Sequence, residues 1–238
     1  MSVDIHPNGN DIAFELVGDI YTIPKKGGQA KSIINGRAFQ SQPRFSKDGK
    51  WIVFISDESG SDNIWIAKSN GKSMRKLTAI ENSTMLSPSW SLDNKEIFVT
   101  VITQFGFSSF AEIWSYNIES GEGKLLVKNQ NGPSQPLVSS PAPGPYGPVS
   151  DHDGSSILFS SVTPRIYNSR KGAESKIFRL DLNTGQTSAL ALKSQICMKP
   201  ALTPDGANLI FGTVKDGKTG YKIKDLKSGE ERWLAYPI

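Results

Sequence analysis

The chain has 238 residues, with 27 Lys+Arg against 23 Asp+Glu, a formal charge of +4 and 37% apolar residues. That near-balance excludes a nucleic-acid surface built on bulk charge, and no apolar stretch approaches the roughly 20 residues needed to span a bilayer. With Gly 22, Pro 14, one cysteine and two histidines, the composition favours a turn-rich all-β fold, excludes an internal disulfide and leaves little for metal chemistry.

Met1 is followed at once by "SVDIHPNG", which has neither the charged nor the apolar region of a secretion signal. The first unit, residues 1–36, holds "IHPNGNDIAF" (5–14) and "DIYTI" (19–23). The second, 37–80, holds "FSKDGKWIVF" (45–54) and "NIWIA" (63–67), and the third, 81–128, "WSLDNKEIFV" (90–99) and "EIWSY" (112–116). A Pro-rich segment, 129–148, reads as an insertion, because the pattern resumes in phase with "SDHDGSSILF" (150–159) and "KIFRL" (176–180) in a fourth unit, 143–192. The fifth, 193–238, holds "LTPDGANLIF" (202–211) and "GYKIK" (220–224).

Each first element sets an Asp-Gly, Asn-Gly or Asp-Asn pair before an apolar run. A hairpin needs a residue that tolerates positive φ, and a preceding Asp or Asn can bond the loop backbone. Each second element carries an aromatic, Tyr21, Trp65, Trp114, Phe178 or Tyr221, read here as one repeated phase, followed by a Gly-bearing turn and a short last strand. Pro43, Pro88, Pro148 and Pro200 recur at one earlier phase. Four antiparallel strands repeated about every 40 to 60 residues predict one β-propeller domain, 1–238, of about five blades. A β-sandwich would explain the turns but not the aligned aromatics.

The stretch "QPRFSKDGKWIVFISDESGSDNIWIAKSNGKSMRKLT" (42–78) resembles the repeat of TolB-type propellers, the WD-like repeats of the periplasmic Tol component. Residues 1–28 also resemble the first blade of propellers fused in front of a metal-dependent amidohydrolase. In that group the propeller continues beyond both ends seen here, so the resemblance implies an internal Met1, a truncation at Ile238 and a larger propeller. The TolB likeness implies a periplasmic or secreted location and a protein or peptide partner, and the fusion likeness an associated hydrolase domain.

The residues themselves offer no catalytic set. His6 and His152 fall in equivalent turns and are expected to be solvated, and Cys197, in "QICMKPAL", to be a buried inert thiol. Asp151 and Asp153 alternate like calcium ligands but lack further acidic partners. Asp57, Glu58 and Asp62 read as a solvated loop, and no GxSxG elbow is present. Lys68, Lys72, Arg75 and Lys76 read as an outer strand edge guarded by charge. No cofactor, metal, nucleic-acid partner or membrane insertion is expected, and an independent sugar-active enzyme ranks last.

Long loops on a rigid scaffold usually carry binding. The irregular end of the blades, opposite the Asp-Gly turns, would hold Phe105, Phe107, Phe110, Tyr146, Arg165, Tyr167 and Arg170, with Lys171 nearby. These are the candidate contact residues of a non-catalytic binding module. Arg44 and Ser89, with Ala201, are the candidates for the lining of a central channel.

Overall fold

A β-sheet with two apolar faces must cover both, and the repeat supplies one such sheet per unit. The structure, a computed structural model, describes residues 2–105, 108–129, 144–162 and 174–236. It is a β-propeller of five four-stranded antiparallel blades, and the described residues contain no helix.

Blade one is β1 (Val3–Ile5), β2 (Asp11–Leu16), β3 (Asp19–Pro24) and β4 (Lys31–Ile34). Blade two is β5 (Gln40–Phe45), β6 (Trp51–Ser56), β7 (Asn63–Lys68) and β8 (Arg75–Lys76). Blade three is β9 (Ser83–Trp90), β10 (Glu96–Phe105), β11 (Ser108–Asn117) and β12 (Gly123–Val127). Blade four is β13 (Gly144–Ser150), β14 (Ser156–Val162), β15 (Ser175–Asp181) and β16 (Thr187–Ala189). Blade five is β17 (Met198–Leu202), β18 (Asn208–Lys215), β19 (Lys218–Asp225) and β20 (Glu231–Ala235). β13 begins at Gly144, so residues 144–148, read from sequence as the end of an insertion, form blade four's first strand.

The chain divides into two compact units, residues 1–103 with 114–124, and residues 104–113 with 125–238. In the first, Ala13, Ile20 and Ile34 of blade one bury Phe45, Ile52, Phe54 and Ala67 of blade two. The other face of blade two, with Val53, Ile55, Ile64 and Ile66, buries Met85, Trp90, Ile97 and Val99 of blade three. In the second, Leu158 and Ile177 of blade four close on Cys197, Leu209 and Phe211 of blade five. The stabilisation therefore lies between blades, where alternate residues of each strand interdigitate with the next sheet.

The recurrent proline has a structural cause. In blades two to five the ladder of the first strand slips at Ser41/Arg44, near Ser87–Pro88, at Tyr146/Val149 and at Met198/Ala201. The residue before each proline is left-handed: Gln42 (φ 55°), Ser87 (φ 56°), Gly147 (φ 63°) and Lys199 (φ 52°). A bulge takes the proline out of the ladder, so its missing N–H costs no hydrogen bond. The bulge amides that leave the ladder link neighbouring blades: Gln42 N–H donates to Glu15, and Ser87 N–H donates to the Gln42 side-chain oxygen at 2.7 Å.

The Asp-Gly turns form a second set of links. His6 accepts the Asn8 N–H at Nδ1, which leaves Nε2 to donate to the Gly49 carbonyl at 2.9 Å, and its ring meets Phe45 edge-on at 4.8 Å. The expectation of a solvated His6 is thus corrected: it joins two blades. Asn94, at φ 60° in the glycine place of blade three, accepts the Lys47 N–H at 2.7 Å. His152 lies against Gly206, where any Cβ would meet the ring at 2.3 Å, and its half-exposed ring contacts the Asp151 carboxylate at 3.0 Å. Asp151 replaces the hydroxyl found at this turn position in blades two, three and five. Burial raises its pKa, but the bonds from His152 and Ser156 and the charge of Arg179 outweigh that and hold it below the usual value.

Blade one supplies an internal control for burial. Ile12 occupies the repeat position of Ile52, pairing with Ile5 as Ile52 pairs with Phe45. Ile5 is 54% exposed and Ile12 only partly buried, whereas Ile52 is completely buried. Ile52→Ala should therefore cost about 2–5 kcal/mol and Ile12→Ala well under half as much, read by urea unfolding. Equal costs would contradict the assignment of the stabilising contact to the blade interface.

The turn carboxylates predict an acid response. Asp48 and Asp205 are held below the usual range chiefly by the Ser46 and Thr203 hydroxyls, and Asp181 and Asp225 by the Thr184 and Ser228 amides. A depressed carboxylate favours folding above its unfolded value, and that contribution is lost as pH falls through the folded value. Asp4 and Asp62, raised by burial, act in the opposite sense. Asp181→Asn keeps the acceptor without the titration. Between about pH 5 and pH 2 its urea midpoint should fall less than that of the unmodified chain. An unchanged slope would remove this carboxylate from the account.

Candidate functional site

The sequence candidates fall into three groups. Phe107, Arg165, Tyr167, Arg170 and Lys171 lie outside the described residues, and of Phe105 only the backbone, at the end of β10, is described. Phe110 is on β11 and Tyr146 on β13, both partly buried. Burial pushes the Tyr146 phenol up to about 12, and its carbonyl accepts the Ser160 hydroxyl at 3.2 Å. Gly144 lies against Ala111, where any Cβ would meet the Ala111 carbonyl oxygen at 2.4 Å, so the strands carrying Phe110 and Tyr146 approach one another there.

Arg44 and Ser89 sit at matching places on β5 and β9, the first strands of their blades. The Arg44 guanidinium donates to Ser2 Oγ at 2.6 Å and to the Pro43 carbonyl at 2.7 Å. Burial lowers its pKa, with Asp4 and Glu15 opposing, so this cation is already engaged within its unit. Ala201 is exposed on β17, and the basic residues Lys68, Lys72, Arg75 and Lys76 are all exposed. Asp57 caps the Phe39 N–H at 2.7 Å, and the described residues contain no group of three or more His, Cys, Asp or Glu able to hold a metal.

The feature that sequence reading missed is in blade five. Across the second and third strands, Phe14 pairs with Tyr21, Phe54 with Trp65 and Phe159 with Phe178. In blade five the partner of Phe211 is Lys222, while Tyr221 faces Gly212. Tyr221 is therefore not the fifth aromatic of the series. It takes the place of Ile20, Ile64, Ile113 and Ile177, all fully buried, and is itself 46% exposed. A slip of one residue moves a side chain to the other face of a sheet, which is why Tyr221 looks in sequence like a further member of the series.

Lys222 thus stands where Trp65 of blade two and Trp114 of blade three pack toward the preceding blade. Beside it opens a cleft of about 420 Å³ lined by Ser194, Gln195, Thr213, Lys215, Lys222 and Trp233, among others. A second cleft, of about 270 Å³, shares Ser194 and is lined by Lys176, Leu190 and Cys197. Ser194 and Gln195 lie on the connection between β16 and β17, and Thr213 and Lys215 at the end of β18 away from the Asp205-Gly206 turn. This is the loop-rich end of the blades.

The Lys222 ammonium donates to Ser194 Oγ at 2.9 Å, lies 3.8 Å from Glu231 Oε2 and sits 5.3 Å from the centre of the Trp233 ring. The Glu231 side chain is 1% exposed. Its Oε1 accepts the Lys193 N–H at 3.1 Å and meets Lys224 Nζ at 3.5 Å, while among the described residues its Oε2 has no hydrogen-bond partner. Lys224 also donates to the Ala191 carbonyl at 2.5 Å. Cys197 donates to the Ser194 carbonyl at 3.3 Å. Burial, with Glu231 adding and Lys222 opposing, pushes its thiol up to about 11, so it holds its proton at neutral pH and is no nucleophile.

Comparison with known proteins places this geometry. Residues 2–135 match the family model described as the tricorn protease N-terminal β-propeller domain. The chain belongs to that family. It is 25% identical over 146 residues to tricorn protease homolog 1 of Streptomyces coelicolor, covering 61% of this chain and 12% of that protein. It is 25% identical over 197 residues to the uncharacterized peptidase YuxL of Bacillus subtilis, covering 81% and 24%. The chain thus spans a quarter or less of the length of these two relatives. Among solved structures, TolB from Acinetobacter baumannii superposes with a TM-score of 0.74 at 19% identity, covering 96% of this chain and 53% of that one. The tricorn-type propeller seen here is accordingly TolB-like in fold.

Proposed function

We propose that this tricorn-type propeller is a non-catalytic binding module that holds a protein, peptide or small ligand at the loop-rich end of its blades. The observation that carries the reading is the contrast between the two ends in blades four and five. At the turn end, His152 fills the space against Gly206. At the other end, Lys222 stands in place of a packing aromatic beside a cleft of about 420 Å³, within the range of small-molecule sites. The Cys197 thiol, pushed up by burial, holds its proton at neutral pH.

A second reading is supported by the names of two relatives, a tricorn protease homolog and a peptidase, of which this chain matches a small part. In that reading the propeller belongs to a larger hydrolase and screens what reaches its site. The likeness of residues 1–28 to amidohydrolase-fused propellers suggests a metal-dependent amidohydrolase, and the names of the relatives suggest a peptidase. A periplasmic or secreted location is proposed from the TolB likeness.

Amide NMR of the labelled chain, titrated with short peptides and small organic anions, tests the reading. Shifts should concentrate at residues 194–196 and 213–215. Shifts concentrated at the turns 46–50, 91–95 and 203–207 would move the site to the other end. Turnover of peptide or amide substrates by this chain alone would overturn the non-catalytic reading.

A further inference from the structure

We infer that the blade-five cleft is a site for a small monocarboxylate, with the Lys222 ammonium as its charge partner. This rests on the reading that the loop-rich end binds ligands, and adds the chemistry of what is bound.

An ammonium carries three N–H bonds and no acceptor. Among the described residues Lys222 has one acceptor at good distance, Ser194 Oγ at 2.9 Å. Glu231 Oε2, at 3.8 Å, is an ion-pair neighbour beyond hydrogen-bond reach. The Lys222 side chain is 18% exposed, so water reaches little of it except through the cleft. A carboxylate entering there gives it the charged acceptor it lacks, and charge-assisted bonds of this kind are the stronger class.

The local charge agrees. Lys222 and Lys224 share one carboxylate, Glu231, and Lys215 adds a further cation on the cleft wall. The balance of these four groups is positive. A dianion is disfavoured, because Glu231 lies 3.8 Å from the same ammonium and because no arginine is among the described residues that line the cleft, so they supply no fork of the kind that recognises phosphate. The Ser194 and Thr213 hydroxyls and the Gln195 amide provide neutral partners for a hydroxyl or for the second carboxylate oxygen. Trp233 already stacks on Tyr236 at 5.2 Å and carries Lys222 at 5.3 Å, so it serves as a wall rather than as a platform for a planar ligand.

The test is NMR titration of the full chain at constant ionic strength with 3-hydroxybutyrate, its neutral amide and inorganic phosphate. Saturable shifts at residues 194–196, 213–215 and 222 are expected with the carboxylate, and at least tenfold weaker binding with the amide and with phosphate. Lys222→Met should weaken carboxylate binding at least tenfold. Because that variant leaves Glu231 without one of its cations, Lys222→Met combined with Glu231→Gln is the folding control and should show the same loss. If the amide binds as well as the acid, the cleft remains a ligand site but the carboxylate proposal falls. Tighter binding of phosphate, or carboxylate binding undiminished by Lys222→Met, overturns it too. If no probe shifts the cleft, the carboxylate proposal fails, while the reading beneath it stands or falls with the peptide titration.

Discussion

A single blade of this chain cannot stand alone. Its two faces are both apolar, and a four-stranded sheet gains its stability when each face is covered by another sheet. Blade two shows the satisfied case, with Phe54 and Ala67 buried toward blade one and Ile55 and Ile64 toward blade three. The repeat follows from that constraint, since every blade must present the same two faces at the same spacing. The proline bulge and the Asp-Gly turn serve it as well. Gln42 and Ser87 bond across blades from the bulge, and His6 and Asn94 do so from the turn.

Given such a constraint, departures from the repeat carry information. A position whose ring packs on the preceding blade in blades two and three, and which is charged in blade five, gives up stability there. Lys222 is that position. Its ammonium, the buried Glu231 and the open cleft together amount to an electrostatic site set where a ring would otherwise seal the blades. Buried charges of this kind are costly unless paired, and the incomplete pairing of Glu231 Oε2 is local evidence that stability is not what this site maximises.

Much of the fold was legible because its signals are local. Asp48-Gly49 and Asp205-Gly206 announce hairpins through the φ they require, and Trp51–Phe54 announces a strand through side chains suited to a half-buried pleat. Pro43, Pro88, Pro148 and Pro200 marked a phase whose meaning, a bulge with a left-handed residue before it, appeared only with the ladder. What failed was register. Tyr221 and Lys222 are adjacent, and composition cannot tell which one faces Phe211, since that depends on the length of the β18–β19 hairpin. The candidate site was missed for the same reason. The sequence search favoured aromatic and arginine residues in long loops, whereas the cleft is made by regular strands and the short β16–β17 connection. His6 was misread because its partner, Gly49, lies 43 residues away.

The account turns on one claim, that the Lys222 position trades packing for an open charged cleft. The most direct measurement is thermal unfolding of two reciprocal variants. Trp65→Lys places the blade-five residue in blade two and should lower the midpoint by roughly 10 °C through lost burial and an uncompensated charge. Lys222→Trp combined with Glu231→Gln places the blade-two residue in blade five and should raise the midpoint. If both changes lower it to a similar degree, Lys222 is an ordinary packing residue of its blade, and the central claim is wrong.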